Sequence, residues 1–188
     1  MNLNEFLHNL PDNDGKKVVS IFSGGLDSTI LTYALVEKYG KRNVIALTYN
    51  YAQKHIIELE KAKTTCEKLG ISQKVLDISF LGDINKDFSS LAGNSSLETP
   101  NIKDVLGLPQ QISYIANRNS ILINIAVSFA ETINADKVFY GAQQYDSLGF
   151  WDTTQDFVNS LNNTFKLNRE HLIQLYAPFM GIWKDTEI

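Results

Sequence analysis

Between a short apolar run and an amphipathic one stands the hexamer Ser23-Gly24-Gly25-Leu26-Asp27-Ser28, which constrains this chain more than any other stretch. Before it, Lys17–Phe22 (KVVSIF) is β-branched and apolar, bounded by Asp14-Gly15 and Gly24-Gly25, and reads as a buried strand. After it, from Asp27, the positions Ile30, Leu31, Ala34 and Leu35 draw a helical stripe that ends near Gly40. A glycine pair in such a turn permits positive φ and close backbone approach. The N–H groups that open a helix, together with its dipole, favour an anion there. Ser23 and Ser28 add hydroxyls, and Asp27 adds a carboxylate suited to Mg²⁺ beside a phosphate. Ser-Gly-Gly alone would be an ordinary βα turn with an Asp cap. The full hexamer in this context points to a pyrophosphate site, and without the GK[ST] ending of a Walker loop it does not point to γ-phosphate cleavage.

The rest of the chain repeats the alternation. Asn43–Tyr49 reads as a second strand, and Gln53–Leu69 as a helix with Leu59, Ala62, Cys66 and Leu69 on one stripe. Lys74–Ile78 is a third strand. Leu122, Ile125, Ala126, Phe129 and Ala130 mark a helix starting near Arg118. Lys137–Gly141 is a fourth strand, Asp152–Phe165 a further helix, and Leu172–Tyr176 a fifth strand. Strands alternating with helices imply right-handed crossovers and a five-stranded parallel sheet with helices on both faces, an α/β fold. Ligands of such sheets sit outside the carboxyl ends of the strands. Residues 1–188 are expected to form a single domain. Phe80 to Gln111 is long, polar and weakly periodic, and residues 80–115 are expected to serve as a lid. The run from Trp183 to Ile188 starts like a helix and breaks off.

Composition narrows the function classes. The formal net charge of −4 at pH 7 speaks against a nucleic-acid-coating surface, and no direct nucleic-acid partner is expected. No apolar run approaches the roughly 20 residues of a membrane span, so no membrane is expected. Met1 to Leu10 lacks the basic region and long apolar core of a signal peptide, and the cytoplasm is the expected compartment. The single cysteine, Cys66, excludes an intrachain disulfide and any cysteine-built metal cluster, and its stripe reads as core.

The hexamer resembles the signature of the PP-loop ATP pyrophosphatases. That resemblance implies a Rossmann-like fold and cleavage of ATP between the α- and β-phosphates. Three further segments, Tyr49 to Leu59, Ala116-Asn117-Arg118-Asn119 and Gly141 to Asp152, are similar to the 7-cyano-7-deazaguanine synthase family of the queuosine pathway. Ala177-Pro178-Phe179-Met180 and Lys184 add to the likeness, which runs from about Lys17 to Ile188. It implies that ATP and Mg²⁺ activate the carboxylate of 7-carboxy-7-deazaguanine, and that ammonia then gives an amide and finally a nitrile. A homodimer is in keeping with it, with Phe129–Ile133 or Phe157–Phe165 as candidate contacts.

The resemblance carries over onto particular residues. Ser23, Gly24, Gly25, Leu26, Asp27, Ser28, Tyr49, Gln53, Asn117 and Arg118 are the candidates for holding ATP, with Asp27 also the metal ligand. Asp27, Lys54, His55, Arg118 and Asp152 are the catalytic candidates, and Asp146, Phe150, Trp151 and Asp152 the candidates for the heterocycle. Each has a plainer reading. Gln53 suits a cap, His55 a solvated position, Glu58 a helix surface, and Asp146 and Asp152 a turn. Phe150 and Trp151 either stack on a flat base or close a core edge. Arg118 is the least easily explained away, because a helix start disfavours a cation unless an anion joins it.

The chain also departs from the family. Thr153 and Thr154 stand where it usually carries Cys and Arg, and Lys54 stands where Arg is usual. The four cysteines of the family's zinc site have no counterpart in these residues. A different deazaguanine acid, an amide product or another amine therefore stays open, as in phage DNA modification or antiphage defence. A tRNA-modifying PP-loop enzyme and a non-catalytic nucleotide-binding protein stand as further alternatives.

Overall fold

Val18 and Val19 are neighbours in sequence, and both are wholly buried, on opposite faces of a sheet. A strand buried on both sides needs cover on both sides, and the rest of the chain provides it. The computed structural model describes residues 2–12, 14–51, 57–90, 114–143, 147 and 149–181. Among them the elements are α1 Leu3–Asn9, β1 Val18–Ile21, α2 Leu26–Tyr39, β2 Val44–Asn50, α3 Ile57–Leu69, β3 Ser72–Asp77, α4 Phe80–Asn85, α5 Arg118–Thr132, β4 Lys137–Phe139, a 3₁₀ turn Trp151–Thr153, α6 Gln155–Phe165 and β5 Gln174–Tyr176.

The five strands lie in the order β3-β2-β1-β4-β5, and every pairing is parallel. Val18 pairs with Val44 and Lys137, and Val19 with Ile45 and Val138. With this register Val18, Ala46 and Phe139 face one layer, formed with α1, α2 and α3. Val19, Leu47 and Val138 face the other, formed with α5 and α6. The expected five-stranded α/β architecture is the one observed.

Details depart from the expectation for local reasons. β3 begins at Ser72, two residues before the apolar stretch, because pairing with β2 starts there and this edge strand is largely exposed. The helix expected from Asp152 begins at Gln155, where the Thr154 hydroxyl accepts from the Phe157 N–H at 3.2 Å. Two short helices escaped the reading. Asn2 caps α1 by accepting from the Glu5 N–H, and Phe6 stacks on Phe179 with ring centroids 5.4 Å apart. In α4, within the expected lid, the buried Asn85 accepts from the Ala116 N–H at 2.9 Å and so ties the helix to the segment before α5. Residues 91–113 lie outside the described residues. Among those described, no helix is long and apolar enough to cross a membrane.

A polar stitch lies beneath the hexamer. Thr32, fully buried, donates its hydroxyl to the Ser28 carbonyl at 2.7 Å. Its one proton is thereby used, so the buried Ser20 hydroxyl of β1 is the donor in the 2.9 Å contact between Ser20 and Thr32. β1 and α2 are thus joined by hydrogen bonds as well as packing.

Gly24 has φ +82, and a Cβ added there would lie 2.5 Å from the Glu58 carbonyl oxygen and 2.9 Å from the Ala62 nitrogen. Both are backbone atoms of α3, which have no side-chain freedom to move away. Gly15 also has positive φ, +78, yet faces open space. Gly24→Ala is therefore expected to destabilise the fold by at least about 2 kcal/mol more than Gly15→Ala, the excess being overpacking rather than φ strain. Urea melts of the two variants measure the difference; equal losses would contradict the contact with α3.

Candidate active site

The strand order reverses between β1 and β4, and at their carboxyl ends opens a cleft of about 400 Å³. Its floor is Ile21, Phe22 and Ser23 after β1 and Tyr140, Gly141 and Ala142 after β4. The start of α2 forms one wall with Gly25, Leu26, Asp27 and Ser28. The start of α5 forms another with Arg118 and Asn119, and Phe150 and Thr153 close the side.

Within the hexamer the hydroxyls are already organised. Ser28 Oγ donates to the Gly25 carbonyl at 3.1 Å, so in the 3.1 Å contact between the two serines it is Ser23 that donates. Gly25 N–H in turn donates to Ser23 Oγ at 3.2 Å. The first N–H groups of a helix have no carbonyl one turn back, and the opening of α2 presents them to the cleft. This is an anion cradle built from backbone, with the two serine hydroxyls bracing the turn from within. Gly141 keeps it open, since a Cβ there would sit 3.2 Å from the Ser28 nitrogen.

Arg118 opens α5 behind Asn117, which takes the left-handed conformation at φ 55 and gives no side-chain cap. The missing cap comes from elsewhere in the chain. The Asp152 carboxylate accepts from the Asn119 N–H at 3.4 Å. Asp152 is 2% exposed, and burial pushes its carboxyl above the usual range against the opposing pull of that N–H and of the Arg118 charge. Tyr114 braces the same corner. Its hydroxyl oxygen accepts from the Asn117 N–H at 3.0 Å and from the Trp151 indole N–H at 2.9 Å, and its ring stacks on Phe150.

Of the residues singled out in the sequence, Ser23, Gly25, Leu26, Asp27, Ser28, Tyr49, Arg118 and Phe150 meet around this cleft. Gly24 instead faces α3. Tyr49 gives its hydroxyl to the Leu122 carbonyl at 2.7 Å, so its polar end holds α5. Asn117 shapes the start of α5. Trp151 is held by Tyr114, and Asp152 lies under α5, neither lining the cleft. Gln53, Lys54, His55 and Asp146 lie outside the described residues, as does Lys184. Two residues were undervalued. Glu58, read as helix surface, lines the cleft. Gln143 donates its side-chain amide to Asp27 Oδ1, and only its place in the loop after β4 hinted at it.

The donor set suits Mg²⁺ bound together with phosphates, which needs one or two protein carboxylates, and the cleft offers Asp27 and Glu58. Among the described residues no group of three or more His, Cys, Asp or Glu side chains is arranged to hold a metal ion. Cys66 is buried in the core, and burial pushes its thiol up to about 11. Nothing described here fits a structural zinc ion.

Comparison with known proteins agrees with this arrangement. Residues 17–188 match the family model described as "Queuosine biosynthesis protein QueC". The chain belongs to that family. It is 36% identical over 180 residues to the 7-cyano-7-deazaguanine synthase of Psychromonas ingrahamii, covering 90% of this chain and 77% of that protein. It is 33% identical to 7-cyano-7-deazaguanine synthase 1 of Colwellia psychrerythraea, covering 91% and 76%. Solved structures share the fold: the U34-tRNA thiolase NcsA of Methanococcus maripaludis (TM-score 0.61, 16% identity, 97% of this chain) and the NH3-dependent NAD synthetase of Campylobacter jejuni (TM-score 0.54, 15% identity, 97% of this chain). This chain spans 59% and 66% of those two, respectively. The fold is that of the PP-loop ATP pyrophosphatases.

The buried Asp152 generates a pH-dependent expectation. Its folded pKa is raised, so ionisation costs stability that is intact below the ordinary carboxylate pKa of about 3.9 and lost as pH rises through the folded value. Asp152→Asn keeps an acceptor for Asn119 and removes that cost. The variant should melt above the unaltered protein at pH 8, with the gap closing as pH falls toward 4. A gap independent of pH would contradict the assignment.

Proposed function

We propose that this protein is an ATP-dependent carbon–nitrogen ligase acting on the carboxylate of 7-carboxy-7-deazaguanine. The carrying observation is the cleft itself, which joins an anion cradle at Ser23–Ser28, the Arg118 cation and the flat face of Phe150. The names of the relatives supply the substrate class.

A carboxylate is a poor electrophile, so one of its oxygens must first become a leaving group. In this reading the substrate oxygen attacks the α-phosphorus of ATP and pyrophosphate departs. Ammonia then adds to the acyl carbon, AMP leaves with the former carboxylate oxygen, and a proton lost from nitrogen completes the amide. A second activation of the amide oxygen, followed by loss of that oxygen and two protons, gives the nitrile. Mg²⁺, when bound, offsets charge on the phosphates. Residues of this chain do the rest. The opening of α2 holds phosphate oxygens, Arg118 faces the charge that develops on them, and the fixed donors need no reorganisation during reaction. Phe150 offers a ring against which the heterocycle stacks.

Thr153 favours a second reading at the product end. It stands where the family usually carries Cys, lines the cleft, and gives its hydroxyl to the Phe150 carbonyl at 2.7 Å. A site altered here is compatible with stopping at the amide or with using another amine.

The decisive experiment supplies ATP, Mg²⁺, ammonia and 7-carboxy-7-deazaguanine and follows AMP, pyrophosphate and product mass. AMP release that depends on the acid is expected, and the mass separates amide from nitrile. Arg118→Ala should lower kcat/KM on the order of a hundredfold, with Arg118→Lys recovering part of it. The reading is lost if no deazaguanine acid elicits AMP.

A further inference from the structure

The strand that leaves the sheet at β4 runs directly over the start of α2. Gly141 makes this contact, where a Cβ would sit 3.2 Å from the Ser28 nitrogen, closer than an ordinary contact. Two residues later Gln143 turns its side chain back onto Asp27, donating through Nε2 to Oδ1. The orientation of the amide is dictated by chemistry, since its oxygen against a carboxylate oxygen would repel. Oε1 is shut off from solvent, and the hydrogen bond that fixes the amide is the one from Nε2 to Asp27. We propose that Gln143 is a positioning residue for Asp27, setting the carboxylate so that its other oxygen is presented to a divalent cation carried in with ATP.

The choice of side chain matters. A carboxylate approached by Lys or Arg would be held equally well, but the cation would offset the charge a metal ion needs. An amide orients the carboxylate without bringing a formal positive charge of its own. Glutamine also has the reach: from a backbone that lies over α2 by way of Gly141, a shorter Asn would fall one methylene short. Asp27 lies in the first turn of α2, and a carboxylate there is drawn toward the helix's own N–H groups. The Gln143 amide competes with that pull and holds Oδ1 on the β4 side of the cleft.

This inference rests on the reading of Asp27 as a metal ligand, and the experiment separates the two. Mn²⁺ serves as a paramagnetic stand-in for Mg²⁺, and its binding to the full chain is followed by electron paramagnetic resonance with the non-cleavable analogue α,β-methylene-ATP. Gln143→Met keeps the side-chain length and removes the donor. It should weaken Mn²⁺ binding about tenfold, the lower end of the effect of removing a partner of a metal ligand. Analogue binding in EDTA should stay within about twofold of the unaltered protein, because the phosphate cradle is untouched; a purely structural loss would weaken both. Gln143→Ala, which removes the donor without added bulk, must show the same split. Unchanged Mn²⁺ binding in both variants, alongside its loss in Asp27→Asn, would overturn the role of Gln143 alone. Unchanged binding in Asp27→Asn would overturn the metal-ligand reading of Asp27, and the proposal with it.

Discussion

Everything at the carboxyl end of this sheet depends on two close backbone approaches. Gly24 lets the turn after β1 touch the backbone of α3, and Gly141 lets the exit of β4 touch the backbone of α2. Without the first, α3 would stand off and Glu58 would leave the cleft. A side chain at the second would press the exit of β4 against α2, where Gln143 meets Asp27. The glycine pair of the hexamer is usually thought of in terms of the phosphate alone. Here its two members divide the labour, since Gly25 lines the cleft while Gly24 serves packing on the far side. Interiors are close-packed, so a single methyl at either contact would be felt on both sides of it.

The fold was legible in the sequence because its strong signals are periodic and long. The runs at Val18, Val44 and Val138 are apolar on both faces, which only a covered parallel sheet explains, and the α2 stripe at Leu31, Ala34 and Leu35 is buried as its spacing requires. What escaped was short or held by single side chains. α1 has seven residues and depends on Asn2 and on a stacking partner, Phe179, far along the chain. α4 has six and depends on Asn85. Neither tether leaves a periodic trace.

The site was legible to a lesser degree, and the limit is instructive. Residues next to the glycine turn announced themselves through chemistry tied to backbone geometry. Asp152 and Trp151 stood out for their side chains, yet those side chains are engaged with Asn119 and Tyr114. A sequence displays which groups are chemically capable, and only tertiary contacts reveal which are already committed. Glu58 and Gln143 are the converse. Glu58 lines the cleft and Gln143 reaches Asp27, each by way of a glycine contact elsewhere.

Arg118 brings these threads to one point. A cation in the first turn of α5 opposes the helix dipole, and the element bears that cost along with a left-handed Asn117 and no cap of its own. The surroundings compensate from outside the helix. Asp152 caps the Asn119 N–H from the 3₁₀ turn, Tyr114 receives the Asn117 N–H, and Tyr49 anchors the Leu122 carbonyl one turn later. Three side chains from three parts of the chain hold in place a helix start that propensity alone would not choose. Asp152 lowers the electrostatic cost of Arg118, while its own burial raises its pKa against that attraction. The Arg118 side chain lines the same cleft as the opening of α2, which is itself positive. Two such ends pointing across one cleft repel each other until an anion lies between them. Relief of that repulsion is one contribution that favours a polyphosphate over a neutral ligand.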